Sequence, residues 1–308
     1  MRTLLVGVGE VGSKHLAALA ETHGFTLAGV VDPVQEIRPG VPVFADYRQA
    51  LAVLHPELVI VATPPGVALD VARHAARAGA TVLVEKPVTV RPEDLAPPAP
   101  EDGRIFVAFQ PHFAPGLPSL LAAPASVTRA EVTLNCRRDP HYFREWRRSY
   151  ETAGGILHQQ AIHGVALALR LLGEPPVETC SAELARWRGL AETEDSIRAE
   201  VQFVGGASLT VAARVDSDEN PRHDVVLHHV TGEHRQIRGR NLEAGTGPLP
   251  QAPTHELLRS CLYRALRAVH QGEPAHPSLF PLSSLRYTLE VIDHVYRAAR
   301  HQECAPAA

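Results

Sequence analysis

Gly7, Gly9 and Gly12 stand in a G-x-G-x-x-G spacing between a short apolar run, Leu4 to Val8, and the stretch Leu16-Ala17-Ala18-Leu19-Ala20. The run reads as a buried strand and the stretch as a helix, so the glycines occupy the turn between them. In such a turn the first glycine bends the chain tightly. The second lets a ligand approach the backbone, and the third lets helix pack closely on strand. The helix start, with Glu10 and Val11 in its first turn, offers free N–H groups and the positive end of a dipole, which attract phosphate. A second apolar run, Leu27 to Val31, ends at Asp32, about twenty residues past Gly12, where an acid meets ribose hydroxyls. Strand, spacing, helix and acid together indicate a dinucleotide site, against a glycine-rich turn that binds nothing.

With 308 residues the chain is long enough for two domains. Hydrophobic content of 45% and charged content of 21% are those of a soluble globular protein. A net charge of −4 carries no footprint for nucleic acid. No apolar run approaches membrane-spanning length, and the N-terminus enters a strand without the regions of a signal peptide. A cytoplasmic, membrane-free protein is expected. Cys136, Cys180, Cys261 and Cys304 are far apart and form no C-x-x-C pair, so they read as incidental thiols. Seventeen histidines include no H-x-x-x-H pair with a third ligand, and no metal is expected.

Up to about residue 110 the chain alternates strand and helix. Strands are predicted at Leu4–Val8, Leu27–Val31, Leu58–Ala62, Thr81–Val84 and Ile105–Phe109, with a helix from Ala68 to Ala78 ending at Gly79. This alternation gives a doubly wound parallel sheet with ligand at the carboxyl ends of the strands. Residues 92–104 contain four prolines and predict a short crossover with at most a turn at its start. After Pro118 the pattern changes to longer strands with polar/apolar alternation: Val127–Cys136, Val177–Trp187, Ser196–Val204, Ser208–Val215 and Asp224–Val230. Gly205-Gly206 predicts a hairpin turn, Thr152 to Leu172 one helix, and the stripes Leu258…Val269 and Leu285…Tyr296 two more.

Glu85-Lys86-Pro87 directly follows the strand Thr81–Val84, so Lys86 falls at the carboxyl edge of the sheet on a turn stiffened by Pro87. A lysine there can give a proton or hydrogen bond to a carbonyl as hydride arrives, and reverse this on oxidation. With the fingerprint Gly7–Gly12, Asp32, Thr63-Pro64-Pro65, Glu85-Lys86-Pro87, and Gly154-Gly155-Ile156-Leu157 leading to His163, the chain resembles the glucose–fructose oxidoreductase/inositol dehydrogenase/rhizopine-catabolism (Gfo/Idh/MocA) family. The resemblance implies a Rossmann domain, 1–118, and a substrate-binding and oligomerisation α+β domain, 119–308, with a large, mostly antiparallel open-faced sheet. It implies NAD(P)-dependent hydride transfer at a carbinol or ketone carbon of a sugar or cyclitol, and a homodimer or homotetramer built through that sheet. Cofactor contacts would come from Gly7, Gly9, Glu10, Val11, Gly12, Asp32, Thr63, Pro64, Pro65, Glu85 and Lys86, with Lys86 and His163 at the catalytic positions.

Three positions depart from the family pattern. Where the family commonly has Asp, sometimes Asn, four residues before the histidine, this chain has Gln159, which supplies no charge to His163. Ala166 replaces a further Asp, and Ala68 a histidine after Thr63-Pro64-Pro65. Residues 137–148 hold five arginines and three aromatics. Arginine forks onto carboxylate or phosphate and aromatics stack on sugar faces, so a polyhydroxylated, possibly anionic substrate is one expectation. A solvated loop covering the sheet is the other. Tyr142, Trp146 and Arg147 are the contacts favoured there, with Gln110, Gln159, His163 and Lys86 completing the substrate set and His112 a further candidate. Asp32 followed by Pro33, with no basic cluster before Arg38, favours NAD over NADP. Two other readings stay open: a reductase of imines or other non-sugar carbonyls, and a nucleotide-binding sensor without turnover.

Overall fold

The computed structural model describes residues 1–33, 40–122, 127–243 and 252–303. In chain order the elements are β1 (Arg2–Val6), α1 (Glu10–Glu21), β2 (Thr26–Val31), β3 (Val43–Phe44), α2 (Tyr47–Leu54), β4 (Leu58–Val61), α3 (Pro65–Arg77), β5 (Thr81–Val84) and β6 (Ile105–Val107). They continue with α4 (Leu117–Ala122), β7 (Val127–Asn135), α5 (Tyr150–Ala153), α6 (Ile162–Leu172), β8 (Val177–Ala185), β9 (Ser196–Phe203), β10 (Ser208–Arg214) and β11 (Arg222–His229). The chain closes with β12 (His234–Arg238), β13 (Asn241–Glu243), α7 (His255–His270), β14 (Phe280–Pro281) and α8 (Leu282–Glu303). Two compact units result: one of Met1–Thr89, Glu93–Phe113 and Pro253–Leu285, the other of Val90–Pro92, Ala114–Ala252 and Arg286–Ala308.

The first unit is built on a sheet of order β14-β6-β5-β4-β1-β2-β3, parallel except for β14 against β6. Every residue of β4 and β5 is buried, which is why these strands read as unbroken apolar runs rather than alternating ones. The proline-rich crossover forms two single 3₁₀ turns, Pro92–Leu95 and Pro100–Arg104, one more than expected. Arg73 of α3 grips the second with a two-pronged bond to Asp102 at 2.9 and 3.0 Å. A single cut after residue 118 misplaces α7. Its Leu258, Leu262, Tyr263 and Leu266 share one core with Leu5, Val30, Ile60 and Leu83, so residues 253–285 belong to the nucleotide-fold unit. An amphipathic stripe shows that a helix has a buried face but not which core it joins.

The second unit holds a sheet of order β13-β12-β11-β7-β10-β9-β8. It is antiparallel except where β10 lies parallel to β7. Gly205 and Gly206, at φ +91° and +85°, turn β9 into β10. The helix α6 packs on β7, β10 and β11, and Gly164 allows this closeness: a Cβ there would lie 2.7 Å from His223 Nε2. The single helix expected over Thr152–Leu172 is divided. α5 ends at Gly154, with φ +65°, and Leu157–Ala161 is wound as a π-helix before α6 begins.

Candidate active site

The residues proposed for cofactor contact lie at the carboxyl ends of the first unit's strands. Gly7 follows β1 at φ +89°, donates its N–H to Val31 O, and would place a Cβ 2.6 Å from Ala62 O. A Cβ on Gly12 would lie 2.1 Å from Gly7 O, so the helix can approach the strand only with glycine there. Gly9 is different. It is the N-cap of α1 and a Cβ on it would meet nothing within 4 Å, so the cradle it opens is one a side chain would fill. Glu10 and Val11 form the first helical turn, and Asp32 Oδ2 accepts the Val8 N–H at 2.9 Å, holding the carboxylate against this loop. Thr63 follows β4, and its buried Oγ1 has no hydrogen-bond partner among the described residues. Pro64 caps α3 and Pro65 is its first residue. The open cradle at a helix N-terminus, the held acid and the unsatisfied hydroxyl fit a dinucleotide. Arg38, part of the argument on the 2′-position, lies outside the described residues, as does Cys304.

Glu85 and Lys86 follow β5 on the same edge, and the Lys86–Pro87 peptide is cis. Lys86 is half-buried and Glu85 buried. Burial alone would push the Glu85 carboxyl up, but the hydrogen bond and attraction of His15, with Lys86 and Arg259, hold it below the usual carboxylate range. Gln110 and His112 are buried in the 3₁₀ turn Gln110–Phe113, His112 with its ring 5.1 Å from Phe109 and 6.0 Å from Phe280. Ala68, in place of the family's histidine, is fully buried in α3.

In the second unit, His163 sits in the first turn of α6, half-buried, its ring 6.5 Å from that of His223. Gln159 is buried in the π-helix and its amide donates to Gly154 O at 3.0 Å. Ala166 is fully buried. Tyr142 has Arg138 and Arg147 over its ring at 5.1 and 5.0 Å, and Arg147 also lies 4.4 Å over Trp146. Gln160 ties this group together: Arg138 donates to its Oε1 at 2.7 Å, and its amide donates to Tyr142 Oη at 2.5 Å. Burial pushes the Tyr142 phenol up against the pull of the two guanidinium groups.

Glu194, which carries no signal in the sequence, and Tyr296, which the sequence shows only as part of an amphipathic stripe, hold the Gly154-Gly155 turn. Glu194 Oε1 accepts from Tyr296 Oη at 2.5 Å and from Ile156 N–H at 2.8 Å, while Leu157 N–H donates to Tyr296 Oη. A Cβ on Gly155 would fall 2.1 Å from that hydroxyl. His158 accepts the Gly155 N–H on Nδ1, stacks on Tyr296 at 5.4 Å, and its ring also bonds the Val90 backbone. Burial drives its pKa down to about 3, so this ring stays neutral. In an unbroken α-helix the H-x₄-H spacing would put His158 and His163 on different faces; the fold winds His158 into a π-helical turn and shows it to be a core residue.

Both units match family models: residues 1–97 an oxidoreductase family with NAD-binding Rossmann fold, and residues 126–237 a GFO/IDH/MocA C-terminal domain. The chain belongs to this family of NAD-binding oxidoreductases. Inositol 2-dehydrogenase of Rhizobium meliloti (strain 1021) is 24% identical over 234 residues, covering 68% of this chain and 67% of that protein. The WlbA dehydrogenase of Bordetella pertussis, solved with NADH and UDP-GlcNAcA, superposes with a TM-score of 0.79 at 24% identity, over 98% of this chain and 97% of that one. A myo-inositol dehydrogenase from Corynebacterium glutamicum ATCC 13032 gives 0.77 at 15% identity, over 100% and 99%. At these identities the structural likeness is one of fold. Among the described residues no helix is long and apolar enough to cross a membrane.

Proposed function

We propose that this oxidoreductase transfers hydride between NAD and a secondary alcohol or ketone of a sugar, cyclitol or sugar-derived substrate. The observation that carries the reading is the position of Lys86 at the carboxyl end of β5, on the sheet edge that also carries the fingerprint loop after β1. The cradle at Gly9, with Asp32 and Thr63, would hold the cofactor, which when bound accepts or supplies the hydride. Lys86 gives a proton to the substrate oxygen during reduction and stabilises alkoxide charge during oxidation. Composition favours it for this task. Of 30 basic residues only Lys14 and Lys86 are lysines. Arginine cannot surrender a proton near neutrality, whereas lysine can. His163 assists as a second proton carrier. Tyr142, Trp146 and Arg147 contact the substrate, and their guanidinium and aromatic faces suit a sugar bearing carboxylate or phosphate; a UDP-sugar acid in the similar WlbA structure is of that class.

The test is turnover of Lys86→Ala across a panel of cyclitols, sugar acids and nucleotide sugars, with NADH formation as the signal. Loss of a positioned acid–base group costs roughly 10²–10⁴-fold in rate. The variant falls in or beyond that range when assayed at saturating NAD. Near-native turnover would overturn this mechanism.

A further inference from the structure

The turn carrying Lys86 is anchored by a buried polar chain that hydride transfer itself does not require. His15, in α1 and 1% exposed, has Nε2 2.9 Å from Glu85 Oε1 and Nδ1 2.6 Å from Tyr263 Oη. A carboxylate only accepts, so His15 Nε2 carries a proton and donates it to Glu85. Tyr263, fully buried in α7, completes the chain at Nδ1, and burial pushes its phenol far above the ordinary range, so it keeps its proton. The second Glu85 oxygen accepts the Lys86 backbone N–H at 3.3 Å. Arg259, one helical turn before Tyr263, is the remaining charged group acting on Glu85. Three segments distant in sequence thus meet at one carboxylate: the fingerprint helix, the Lys86 turn and α7.

We propose that His15, Glu85 and Tyr263 are positioning residues that fix the Lys86 turn and keep a carboxylate beside the lysine, so that its ammonium stays charged and oriented at the sheet edge. Burial disfavours the charged form of a lysine, and an opposite charge within about 4–6 Å favours it by about 1–3 pH units. The His15 bond keeps that anion ionised despite burial. Because His15 belongs to the helix whose N-terminus forms the cofactor cradle, the same bond ties cradle and lysine together. The anchoring of the turn stands on the hydrogen bonds of His15, Glu85 and Tyr263 and on the Lys86 backbone N–H; its catalytic meaning rests on the reading of Lys86 as proton donor.

Two lysines make the test direct. In protein labelled with [¹³Cε]lysine the side chains give two resonances, and Lys14→Arg assigns them. Glu85→Gln should lower the Lys86 titration midpoint by about one pH unit or more, His15→Gln by less, and Tyr263→Phe by least, with Lys14 unmoved. Glu85→Asp should recover part of the shift, which a purely structural role would not grade in this way. Tyr263→Phe removes a single oxygen and carries the test if a more drastic variant fails to fold. Folded variants whose Lys86 midpoint stays native overturn the proposal. A shift in Lys86 combined with near-native turnover of Lys86→Ala would instead discard the proton-donor reading and leave the coupling standing.

Discussion

Asp32 Oδ2 accepts the Val8 N–H at 2.9 Å, so its carboxylate is tethered to the fingerprint loop and cannot swing away from an approaching ribose. A 2′-phosphate would bring its charge against that fixed anion, whereas ribose hydroxyls can donate to it. Fluorescence titration should therefore show NADH binding more tightly than NADPH, with Asp32→Ser narrowing the difference; tighter NADPH binding by the native protein would overturn the assignment. Lys86 and His163 are expected to differ in the same residue-level way. Gln159 adds no charge near His163, and its amide is already turned to Gly154 O. His163→Ala should accordingly cost less in turnover than Lys86→Ala, and Gln159→Asp should move the pH–rate profile rather than abolish turnover. An equal or larger loss for His163→Ala, measured on the same substrate, would reverse their order.

Between α5 and α6 the chain bends at Gly154-Gly155 because Tyr296, Glu194 and His158 occupy the space a straight helix and its side chains would need. Gly155→Ala forces a Cβ onto the Tyr296 hydroxyl and should destabilise by at least about 2 kcal/mol, visible as a drop of several degrees in Tm. His158 gives this element its pH dependence. Its folded pKa of about 3 lies below the ordinary 6.5, so between those values the unfolded chain takes up a proton that the folded chain refuses. The contribution is fully present above about pH 6.5 and declines by up to about 1.4 kcal/mol per unit as pH falls toward 3. Urea unfolding of the native protein and His158→Gln at pH 7 and pH 5 should show a steeper acid loss in the native protein; parallel losses would refute it. The glycines themselves were legible, as were the fingerprint and the Lys86 turn, because each needs a particular residue at a particular spacing. The break they cause was not legible, since Glu194 and Tyr296 lie 38 and 139 residues away from their backbone partners. Nor were β12 and β13 predicted: His234-Arg235-Gln236-Ile237-Arg238 holds one apolar residue and shows no alternation to read.

For the molecule as a whole, the question is what the second unit's sheet does with the face that α6 does not cover. An apolar face left open would by itself demand a partner, but this one is polar. Along β9 the buried residues Ile197, Ala199, Val201 and Phe203 alternate with outward Arg198, Glu200 and Gln202, and β7 turns Glu131, Thr133 and Asn135 outward. Glu131 joins Arg129 and His228, each at 2.9 Å, so both signs of charge are interleaved. A homodimer or homotetramer through this sheet, which the family resemblance implies, must then be matched by hydrogen bonds and charge rather than by apolar area. Such pairing sets specificity and is screened by salt, over a Debye length of about 8 Å at physiological ionic strength. Light scattering at micromolar concentration should give a dimer or tetramer in low salt, a smaller mass as salt rises, and a shift toward monomer in Glu131→Arg, which places like charge beside Arg129. An assembly indifferent to both salt and Glu131→Arg would locate the interface elsewhere, and a monomer under all conditions would mean that the polar face is simply solvated.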